Sequence, residues 1–155
     1  MDTSRERRGS PSCSEERPLS IYLAGPLFSA AERGWNAEVA VELQRYGYET
    51  ILPQAGESRL LGRSSEEVSP GQALFQRDLA EIDFCDVIVA CMDGADPDAG
   101  TCWECGYAFR AGKRVVVYRT DMRDLRDISD APFNLMVACS SEVVSFDHGS
   151  AVVSG

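Results

Sequence analysis

The chain has 155 residues, a length typical of one domain with a single hydrophobic core. Hydrophobic residues make up 44% of the sequence, which indicates a globular rather than a disordered protein. The formal charge of −10 argues against a nucleic-acid polymer as partner. No apolar run approaches the roughly 18–20 residues of a transmembrane helix, so we expect no membrane association.

Residues 1–17 are rich in Ser, Pro, Arg and Glu and lack the apolar stretch of a signal peptide. We therefore predict a disordered N-terminal arm and a cytoplasmic protein. Thiols stay reduced in that compartment, and most of the cysteines lie within apolar stretches. Buried, reduced thiols are accordingly predicted, rather than disulfides, for Cys13, Cys85, Cys91, Cys102, Cys105 and Cys139.

The first predicted elements alternate strand, helix and strand. Residues 19–25, "LSIYLAG", form a short apolar run that ends at Gly-Pro, as a buried strand does before a turn. A helix is predicted over 29–48, with Gly47 at its end, because apolar residues recur at helical spacing. Segment 48–53 is a second strand, and 55–71 is a long surface loop or lid. The residues at helical spacing are Trp35, Val39, Leu43 and Tyr46.

The rest of the chain continues this alternation, and its first strand, "DVIVACM", is the most apolar segment. In order, the predicted elements are a helix at 72–85, a strand at 86–92, a helix at 101–111, a strand at 114–119, a short helix at 130–140 and a strand at 142–146. We expect one folded domain over 18–147 and a flexible tail over 148–155.

Strands that alternate with helices and are continuously apolar predict a parallel sheet covered on both faces. We therefore expect an α/β domain with a five-stranded, doubly wound (Rossmann- or flavodoxin-like) sheet. Ligands in such folds bind beyond the carboxyl ends of the strands. This rule directs attention to four segments: Tyr22–Ser29, the loop after Pro53, Asp93–Glu104 and the stretch around Asn134.

Cys102 and Cys105 have the spacing of half a zinc site or of a redox motif. A structural zinc site needs four ligands, yet no second cysteine pair has suitable spacing, and the one histidine, His148, lies in the predicted tail. Glu104, between the two cysteines, opposes the lowered thiol pKa that redox chemistry requires. We therefore predict no metal site and assign these thiols to the core.

The turn after the first strand, "LAGPLFS", is where a phosphate-binding glycine loop would lie. It holds a single glycine, Gly25, followed by proline, and it matches neither the dinucleotide-binding nor the Walker pattern. The start of the next helix, with free backbone N–H groups near Ser29, still predicts a place for one anion.

Carboxylates form a third group of candidates. Asp78 lies within an otherwise amphipathic helix, and Asp98 and Glu104 flank the turn into the next one. Glu104 is predicted in the first turn of that helix, where the helix dipole favours an anion. Two carboxylates suffice to cleave a glycosidic bond, one attacking or stabilising C1′ and one acting on the leaving group. Such a set requires neither a metal nor a cofactor, and we predict none.

Four separated blocks resemble, in order and spacing, the motifs of the nucleoside 2-deoxyribosyltransferase family. They are "IYLAGPLFSAAERGWN", "RDLAEIDFCDVIVACMDG", "DAGTCWECGYA" and "NLM", and the resemblance covers about residues 19–146. It implies that Glu104 is the nucleophile that forms a glycosyl-enzyme intermediate at C1′, and that Tyr22 hydrogen-bonds and orients it. It also implies that Asp78 contacts the base and assists its protonation, and that Asp98 lies toward the 5′ end of the sugar.

The resemblance extends to residues around the substrate. Gly25 and Ser29 lie in the first block, at the turn that we expect to bind the substrate. Asn134 and Met136 match positions that reach a neighbouring subunit's site in family oligomers, so we expect a homodimer or a larger symmetric assembly. Three aromatic side chains are candidates either to stack on the base or to belong to the core: Phe28, Trp35 and Trp103.

The family divides by its acceptor and by the 5′ group of its substrate. Transferases pass the deoxyribosyl group to another base. A nucleotide N-glycosidase branch, which includes cytidylate hydrolases of nucleoside-antibiotic pathways, uses water and takes nucleoside 5′-monophosphates. The chain as a whole resembles this branch, so we expect release of cytosine from CMP, dCMP, cytidine or deoxycytidine. Asp98 argues for the nucleosides, because its carboxylate would repel a 5′-phosphate.

A non-catalytic nucleotide sensor with this fold is the alternative from another functional class. The joint presence of Tyr22, Asp78 and Glu104 argues against it. A flavodoxin-like electron carrier would need a Ser/Thr-rich phosphate loop after the first strand, which this sequence lacks. The sequence therefore favours an N-glycosidase or a deoxyribosyltransferase.

Overall fold

A computed structural model describes residues 17–56, 69–121, 123, 131–147 and 150–153. Nearly all of the predicted N-terminal arm, most of the predicted loop or lid and part of the predicted tail, with His148, lie outside these residues. None of the helices described has both the length and the apolar character that crossing a membrane requires.

One sheet organises the fold. Five strands, β1 to β5 in chain order, are parallel and adjoin in the order β2-β1-β3-β4-β5. The prediction of a five-stranded parallel sheet is therefore confirmed. The strands are β1 Ser20–Ala24, β2 Glu49–Ile51, β3 Val87–Cys91, β4 Arg114–Arg119 and β5 Glu142–Asp147.

A further strand, β6 (Ser150–Val153), runs antiparallel to β5, with Asp147 paired to Ser150 and Val144 paired to Val153. The sequence predicts only a flexible tail at this position. The edge of β5 explains the difference, because an edge strand presents unpaired backbone N–H and C=O groups that a returning segment can bind. Such pairing depends on a distant partner and leaves little trace in the local sequence.

Each helix begins at a side chain that accepts a hydrogen bond from a backbone N–H group of the first turn. The helices are α1 Ala30–Arg45, α2 Pro70–Phe84, α3 Ala99–Arg110 and α4 Leu135–Cys139, and a 3-10 turn covers Pro53–Ala55. The capping residues are Ser29, Ser69, Asp98 and Asn134. Gly47, with a φ of 87°, follows α1 in the left-handed conformation that favours glycine.

The helices cover both faces of the sheet. Side chains of α2, α3 and α4 pack with Tyr22 of β1 and Val117 of β4 in the main hydrophobic core. Neighbouring strand residues point to the opposite face. There, Trp35 of α1 donates a 3.2 Å hydrogen bond from its indole nitrogen to the hydroxyl of Tyr118. The helices supply four residues to the main core: Ile82, Cys105, Ala108 and Val137.

The strand order places the site. β2 lies on one side of β1, and the chain then crosses to β3 on the other side, so the sheet has its topological switch point between β1 and β3. Ligands of doubly wound folds bind in the crevice beyond the carboxyl ends of such strands. The turn at 25–29 and the loop at 92–98 border this crevice.

Not all residues at helical spacing point into the core. In α1 the buried residues are Asn36 and Ala40, whereas Trp35 and Tyr46 are exposed. Ala40 is small enough to let the helix approach the sheet, and Asn36 is held inward by a 3.1 Å hydrogen bond to the carbonyl of Pro26. The apolar spacing thus predicts the helix correctly, whereas its buried face is set by these two residues.

Candidate active site

Tyr22 and Glu104 form the centre of the candidate site. Tyr22 lies in β1 and is fully buried, and its hydroxyl donates a 2.8 Å hydrogen bond to Oε1 of Glu104 on α3. The pair therefore connects the strand at the switch point to the helix that follows β3. Within the described part of the chain, Oε2 of Glu104 accepts no hydrogen bond, which leaves one carboxylate oxygen available for chemistry.

Burial raises the pKa of Glu104 from 4.5 to about 7. The hydrogen bond from Tyr22 lowers this pKa, whereas the charges of Asp78 and Asp98 raise it. The prediction that Glu104 lies in the first helical turn is wrong, because α3 begins at Ala99 and Glu104 is its sixth residue. The helix dipole acts mainly within the first turn and does not offset the effect of burial. The carboxyl group therefore titrates near neutral pH.

Burial also raises the pKa of Tyr22 well above its usual range, and the negative charges of Glu104, Asp78 and Glu81 add to this effect. The phenol consequently keeps its proton at any pH at which the protein would work. Tyr22 is thus a fixed hydrogen-bond donor to Glu104 and does not itself act as a base.

Asp78 lies on α2, close enough for its charge to raise the pKa of both Tyr22 and Glu104. Its Oδ1 atom accepts hydrogen bonds from Nε and Nη2 of Arg77, at 3.0 and 2.7 Å. Arg77 is a site residue that the sequence analysis missed. The sequence signal for Arg77 is only its position directly beside a candidate carboxylate. This signal is weak, because adjacent residues on a helix ordinarily point in different directions.

Asp98 is the N-cap of α3. Its Oδ2 atom accepts hydrogen bonds from the backbone N and the hydroxyl of Thr101, at 2.8 and 3.0 Å. A Cβ atom at Gly100 would lie 3.1 Å from the same oxygen, so glycine leaves room for this cap. Asp98 therefore has a structural task as the cap of α3 as well as a charge that acts on Glu104.

The turn after β1 is shaped by Gly25 and Asn36. A Cβ atom at Gly25 would lie 3.0 Å from Oδ1 of Asn36 and 3.4 Å from Cβ of Cys91, so a larger residue would disturb this packing. Asn36 is buried and hydrogen-bonds the carbonyl of Pro26. Asn36 is not among the residues predicted from the sequence. A polar residue at a position that the helical period buries is the signal that would have identified it.

Ser29 is placed differently from its prediction as an anion-binding residue. Its hydroxyl accepts a 3.1 Å hydrogen bond from the backbone N of Glu32, and its own backbone N donates to Glu32 Oε2 at 2.6 Å. This capping box satisfies the backbone N–H groups of Ser29 and Glu32. The Glu32 carboxylate now occupies the helix start, and its charge would oppose a second anion there. Ser29 therefore caps α1, and its role in substrate binding stays a prediction.

Several predicted substrate residues lie at the surface. Phe28 is 80% exposed and Met136 is 77% exposed, and Asn134 caps α4 by accepting a 3.1 Å hydrogen bond from the backbone N of Met136. Trp103 is 50% exposed and stacks on Tyr107, with ring centroids 5.6 Å apart. Phe28 and Trp103 are therefore not core residues of the described chain, and each can contact a ligand or another subunit.

The five cysteines within the described residues are free thiols. Burial raises the pKa of Cys105 to about 12 and that of Cys91 to about 11. Protonated thiols are poor nucleophiles and metal ligands. Cys102 is half-buried and Cys139 is exposed, so the predicted burial does not hold for these two. The described residues contain no group of three or more His, Cys, Asp or Glu side chains arranged to hold a metal ion.

The sequence model of the nucleoside 2-deoxyribosyltransferase family matches residues 21–136. This range contains the residues that build the site, from Tyr22 in β1 to Met136 in α4. No curated protein matches the chain in sequence.

Solved structures share the fold. A conserved protein of Enterococcus faecalis V583 is 28% identical, with a TM-score of 0.65, over 83% of this chain and 92% of its own. The 2-deoxyribosyltransferase of Bacillus psychrosaccharolyticus is 25% identical, with a TM-score of 0.64, over 83% of this chain and 86% of its own. The CMP N-glycosidase BcmB of Clostridium botulinum is 17% identical, with a TM-score of 0.53, over 82% and 88% of the two chains, and that likeness concerns the fold alone.

Proposed function

Because the chain belongs to the nucleoside 2-deoxyribosyltransferase family, and is thus an enzyme that acts on N-glycosidic bonds, we propose that it releases cytosine from a cytosine nucleoside or nucleoside 5′-monophosphate. The observation that carries this proposal is the 2.8 Å hydrogen bond between Tyr22 and Glu104. It fixes a partly buried carboxylate at the switch point with one oxygen that accepts no hydrogen bond within the described residues. A carboxylate with a free oxygen in this place can serve as the nucleophile of a retaining glycosidase.

In the proposed reaction, Oε2 of Glu104 attacks C1′ while the bond from C1′ to the base breaks. A proton from solvent reaches ring nitrogen N3 of the cytosine before the base leaves, and Asp78 assists this step by stabilising the positive charge of the protonated base. The bonding electron pair then leaves with the base, which departs as neutral cytosine. Water then attacks C1′, the bond from C1′ to Glu104 breaks, and the water gives up a proton to solvent, so that the sugar is released and Glu104 returns to its carboxylate form. Two displacements at C1′ retain its configuration.

The raised pKa of Glu104 gives this mechanism a pH dependence. A carboxylate attacks and a carboxylic acid does not, so kcat/KM rises as the pH increases through about 7 and Glu104 loses its proton. Tyr22 limits the shift, because its hydrogen bond stabilises the ionised form.

Deoxyribosyl transfer is the second candidate. It is favoured by the likeness to the Bacillus psychrosaccharolyticus enzyme, whose described activity is that of a 2-deoxyribosyltransferase. The first half of the reaction is identical, and a second base replaces water as acceptor. The two candidates therefore make the same demands on Tyr22, Asp78 and Glu104.

The 5′ group of the substrate distinguishes nucleosides from nucleotides. Asp98 and Glu32 place two carboxylates at the N-terminal ends of α3 and α1, which border the crevice. The two are close enough for the charge of Asp98 to act on Glu32. A 5′-hydroxyl can donate a hydrogen bond to a carboxylate, whereas a phosphate dianion would be repelled. Of the proposed substrates, cytidine and deoxycytidine therefore fit these charges better than CMP and dCMP.

We further propose that the enzyme works in the cytoplasm as a homodimer or larger symmetric assembly, without a metal or a cofactor. The exposure of Phe28 and Met136 supports the assembly, since a subunit contact would cover apolar surface beside the crevice. Gly25, Asn134 and the stacking side chain Phe28 complete the proposed substrate contacts.

The test is chromatography of the products from four incubations, with CMP, dCMP, cytidine and deoxycytidine, each with and without adenine. Free cytosine that appears regardless of adenine supports hydrolysis. Deoxyadenosine that appears only when deoxycytidine and adenine are both present supports transfer. The Glu104→Gln variant, which lacks the proposed nucleophile, should release cytosine about 10³-fold more slowly or not at all. If the natural chain cleaves none of the four, the proposed substrate class is wrong.

A further inference from the structure

Arg77 is the cation that the structure places against the carboxylates of the site. Its side chain is only 14% exposed. Besides its two hydrogen bonds to Asp78, Nη2 donates to the carbonyl oxygen of Pro53 at 3.2 Å, and Nε lies 3.9 Å from Oε1 of Glu81. Three residues therefore hold the guanidinium. Asp78 and Glu81 lie on its own helix, and Pro53 lies in the turn that follows β2.

The geometry of the Arg77–Asp78 contact is one-sided. Both guanidinium nitrogens donate to Oδ1 of Asp78, and within the described residues no hydrogen bond reaches Oδ2. The Asp78 side chain is 23% exposed, so it retains access to the crevice. Arg77 thus fixes one oxygen of Asp78 and leaves the other for a ligand. An arginine presents its donors in a rigid planar fork, so the contact also orients the carboxylate of its partner.

We propose that Arg77 is a positioning residue that sets the base specificity of the enzyme, by holding Asp78 as a hydrogen-bond acceptor for an exocyclic amino group. This inference rests on the proposed function, in which Asp78 contacts the base. An anionic carboxylate can only accept hydrogen bonds. Cytosine presents an amino donor at C4, whereas uracil presents a carbonyl acceptor there. The oriented carboxylate binds the first and repels the second.

The same contact serves the chemical step. Cytosine that is protonated at N3 before it leaves is positively charged, and a carboxylate that accepts a hydrogen bond from its amino group stabilises that charge until the base departs as neutral cytosine. Uracil offers no such donor. The inference therefore predicts discrimination in kcat/KM between pairs of substrates that differ only at C4, and it assigns this discrimination to the orientation of Asp78 by Arg77.

The experiment compares cytidine with uridine and deoxycytidine with deoxyuridine, and likewise their 5′-monophosphates, using the full-length protein. The natural chain should prefer the cytosine member of each cleaved pair by about tenfold or more. Arg77→Gln should reduce this preference about tenfold, and Arg77→Lys, which keeps the charge without the planar fork, should reduce it less. Arg110→Gln, which changes an exposed arginine of α3, should leave the preference unchanged.

Loss of activity alone would not establish a positioning role, so the ratio is the decisive quantity. If Arg77→Gln lowers kcat/KM equally for both bases, Arg77 is merely structural and the inference is overturned. Asp78→Asn provides an independent check, because the amide can donate to the uracil carbonyl and should shift the preference toward uracil. If neither Arg77→Gln nor Asp78→Asn changes the preference between cytosine and uracil substrates, the inference is also overturned.

Binding separates this inference from the proposed function. In the Glu104→Gln background, calorimetry measures Kd for deoxycytidine and deoxyuridine without turnover. Tighter binding of deoxycytidine that disappears on Arg77→Gln supports the role of Arg77 even if the reaction class is different. Equal binding of both nucleosides, together with cytosine release by the natural chain, contradicts the role of Arg77 and leaves the proposed function intact.

Discussion

Helix α3 carries two carboxylates whose surroundings differ sharply. Asp98 lies at the N-cap, where Thr101 supplies two hydrogen bonds to one of its oxygens. Glu104 lies within the helix, is largely withdrawn from solvent, and accepts a single hydrogen bond from Tyr22. Burial raises the pKa of Glu104 to about 7. The carboxylate of Asp98 caps the start of a helix. The carboxylate of Glu104 lies where burial disfavours its ionised form.

This contrast separates a structural carboxylate from a reactive one. A capping carboxylate gains stability from its hydrogen bonds and from the helix dipole. A buried carboxylate with one partner lowers stability when it ionises, and such a cost is common at sites that perform chemistry. The comparison predicts that changes at Glu104 affect catalysis strongly and can raise stability, whereas changes at Asp98 mainly lower stability.

The largest effect is expected from Glu104→Gln. Loss of the nucleophile should reduce kcat by about 10³-fold or more, because no other described group occupies its position against Tyr22. Steady-state release of cytosine measures this effect. Glu38→Gln, an exposed glutamate of α1, is the matched control and should retain full activity. Retention of more than a tenth of the activity in Glu104→Gln would remove Glu104 from the reaction.

The same variant should be more stable than the natural chain at high pH. The folded-state pKa of Glu104, about 7, lies above its ordinary value of 4.5, so the folded state binds the proton more tightly. The stability associated with the protonated form is present below pH 4.5 and is lost as the pH rises through 7. Chemical denaturation at pH 8 should therefore show Glu104→Gln more stable by up to about 3 kcal/mol. If the difference in the free energy of unfolding between the two proteins does not shrink toward pH 4.5, the raised pKa of Glu104 is contradicted.

Tyr22→Phe tests the contact between the two residues. The hydrogen bond lowers the pKa of Glu104, so its removal should move the acidic limb of kcat/KM above pH 7. Loss of orientation should also reduce kcat about 10- to 100-fold. A pH–rate series on both proteins measures both changes. Reduced activity with an unmoved acidic limb would show that Tyr22 packs against Glu104 without tuning it.

Asp98 should give the smallest effects. Asp98→Ala removes the N-cap and should cost about 1 kcal/mol in the free energy of unfolding. Loss of its charge should also lower the pKa of Glu104 and move the acidic limb downward. Asp98→Ser keeps a capping hydroxyl and should restore most of the stability. Thermal unfolding compared between the two variants distinguishes the cap from the charge.

Asp98→Ser also tests substrate choice. Removing a carboxylate near the proposed 5′ position should raise activity on the 5′-monophosphate relative to the nucleoside. Parallel assays with CMP and cytidine give this ratio. An unchanged ratio would place the 5′ group away from Asp98.

The sheet and its helices could be predicted because their signals are local. Apolar runs such as 86–92 and 114–119 identify buried strands, and β4 has the predicted bounds of Arg114–Arg119. Strand alternation with helices then fixes the parallel architecture. The antiparallel β6 was missed because its pairing with β5 is non-local. The buried face of α1 was missed because Asn36 is polar and Ala40 is small.

The site was predictable in part. The motifs around Tyr22, Asp78 and Glu104 point to one edge of the sheet, and the structure places these residues close together. The capping box of Ser29 and Glu32 was overlooked, although a Ser followed three residues later by Glu is its usual signature. The contact between Arg77 and Asp78 depends on side-chain conformation, which neither spacing nor composition determines.

The most direct test of the account is to trap the glycosyl-enzyme intermediate. A cytosine nucleoside whose sugar carries fluorine in the arabino position at C2′ slows hydrolysis of the intermediate. After acid quenching, the account predicts one added sugar mass on the peptide that contains Glu104, and none in Glu104→Gln. Cytosine release without any adduct on Glu104, or an adduct on Asp78 instead, would contradict the assignment of Glu104 as nucleophile.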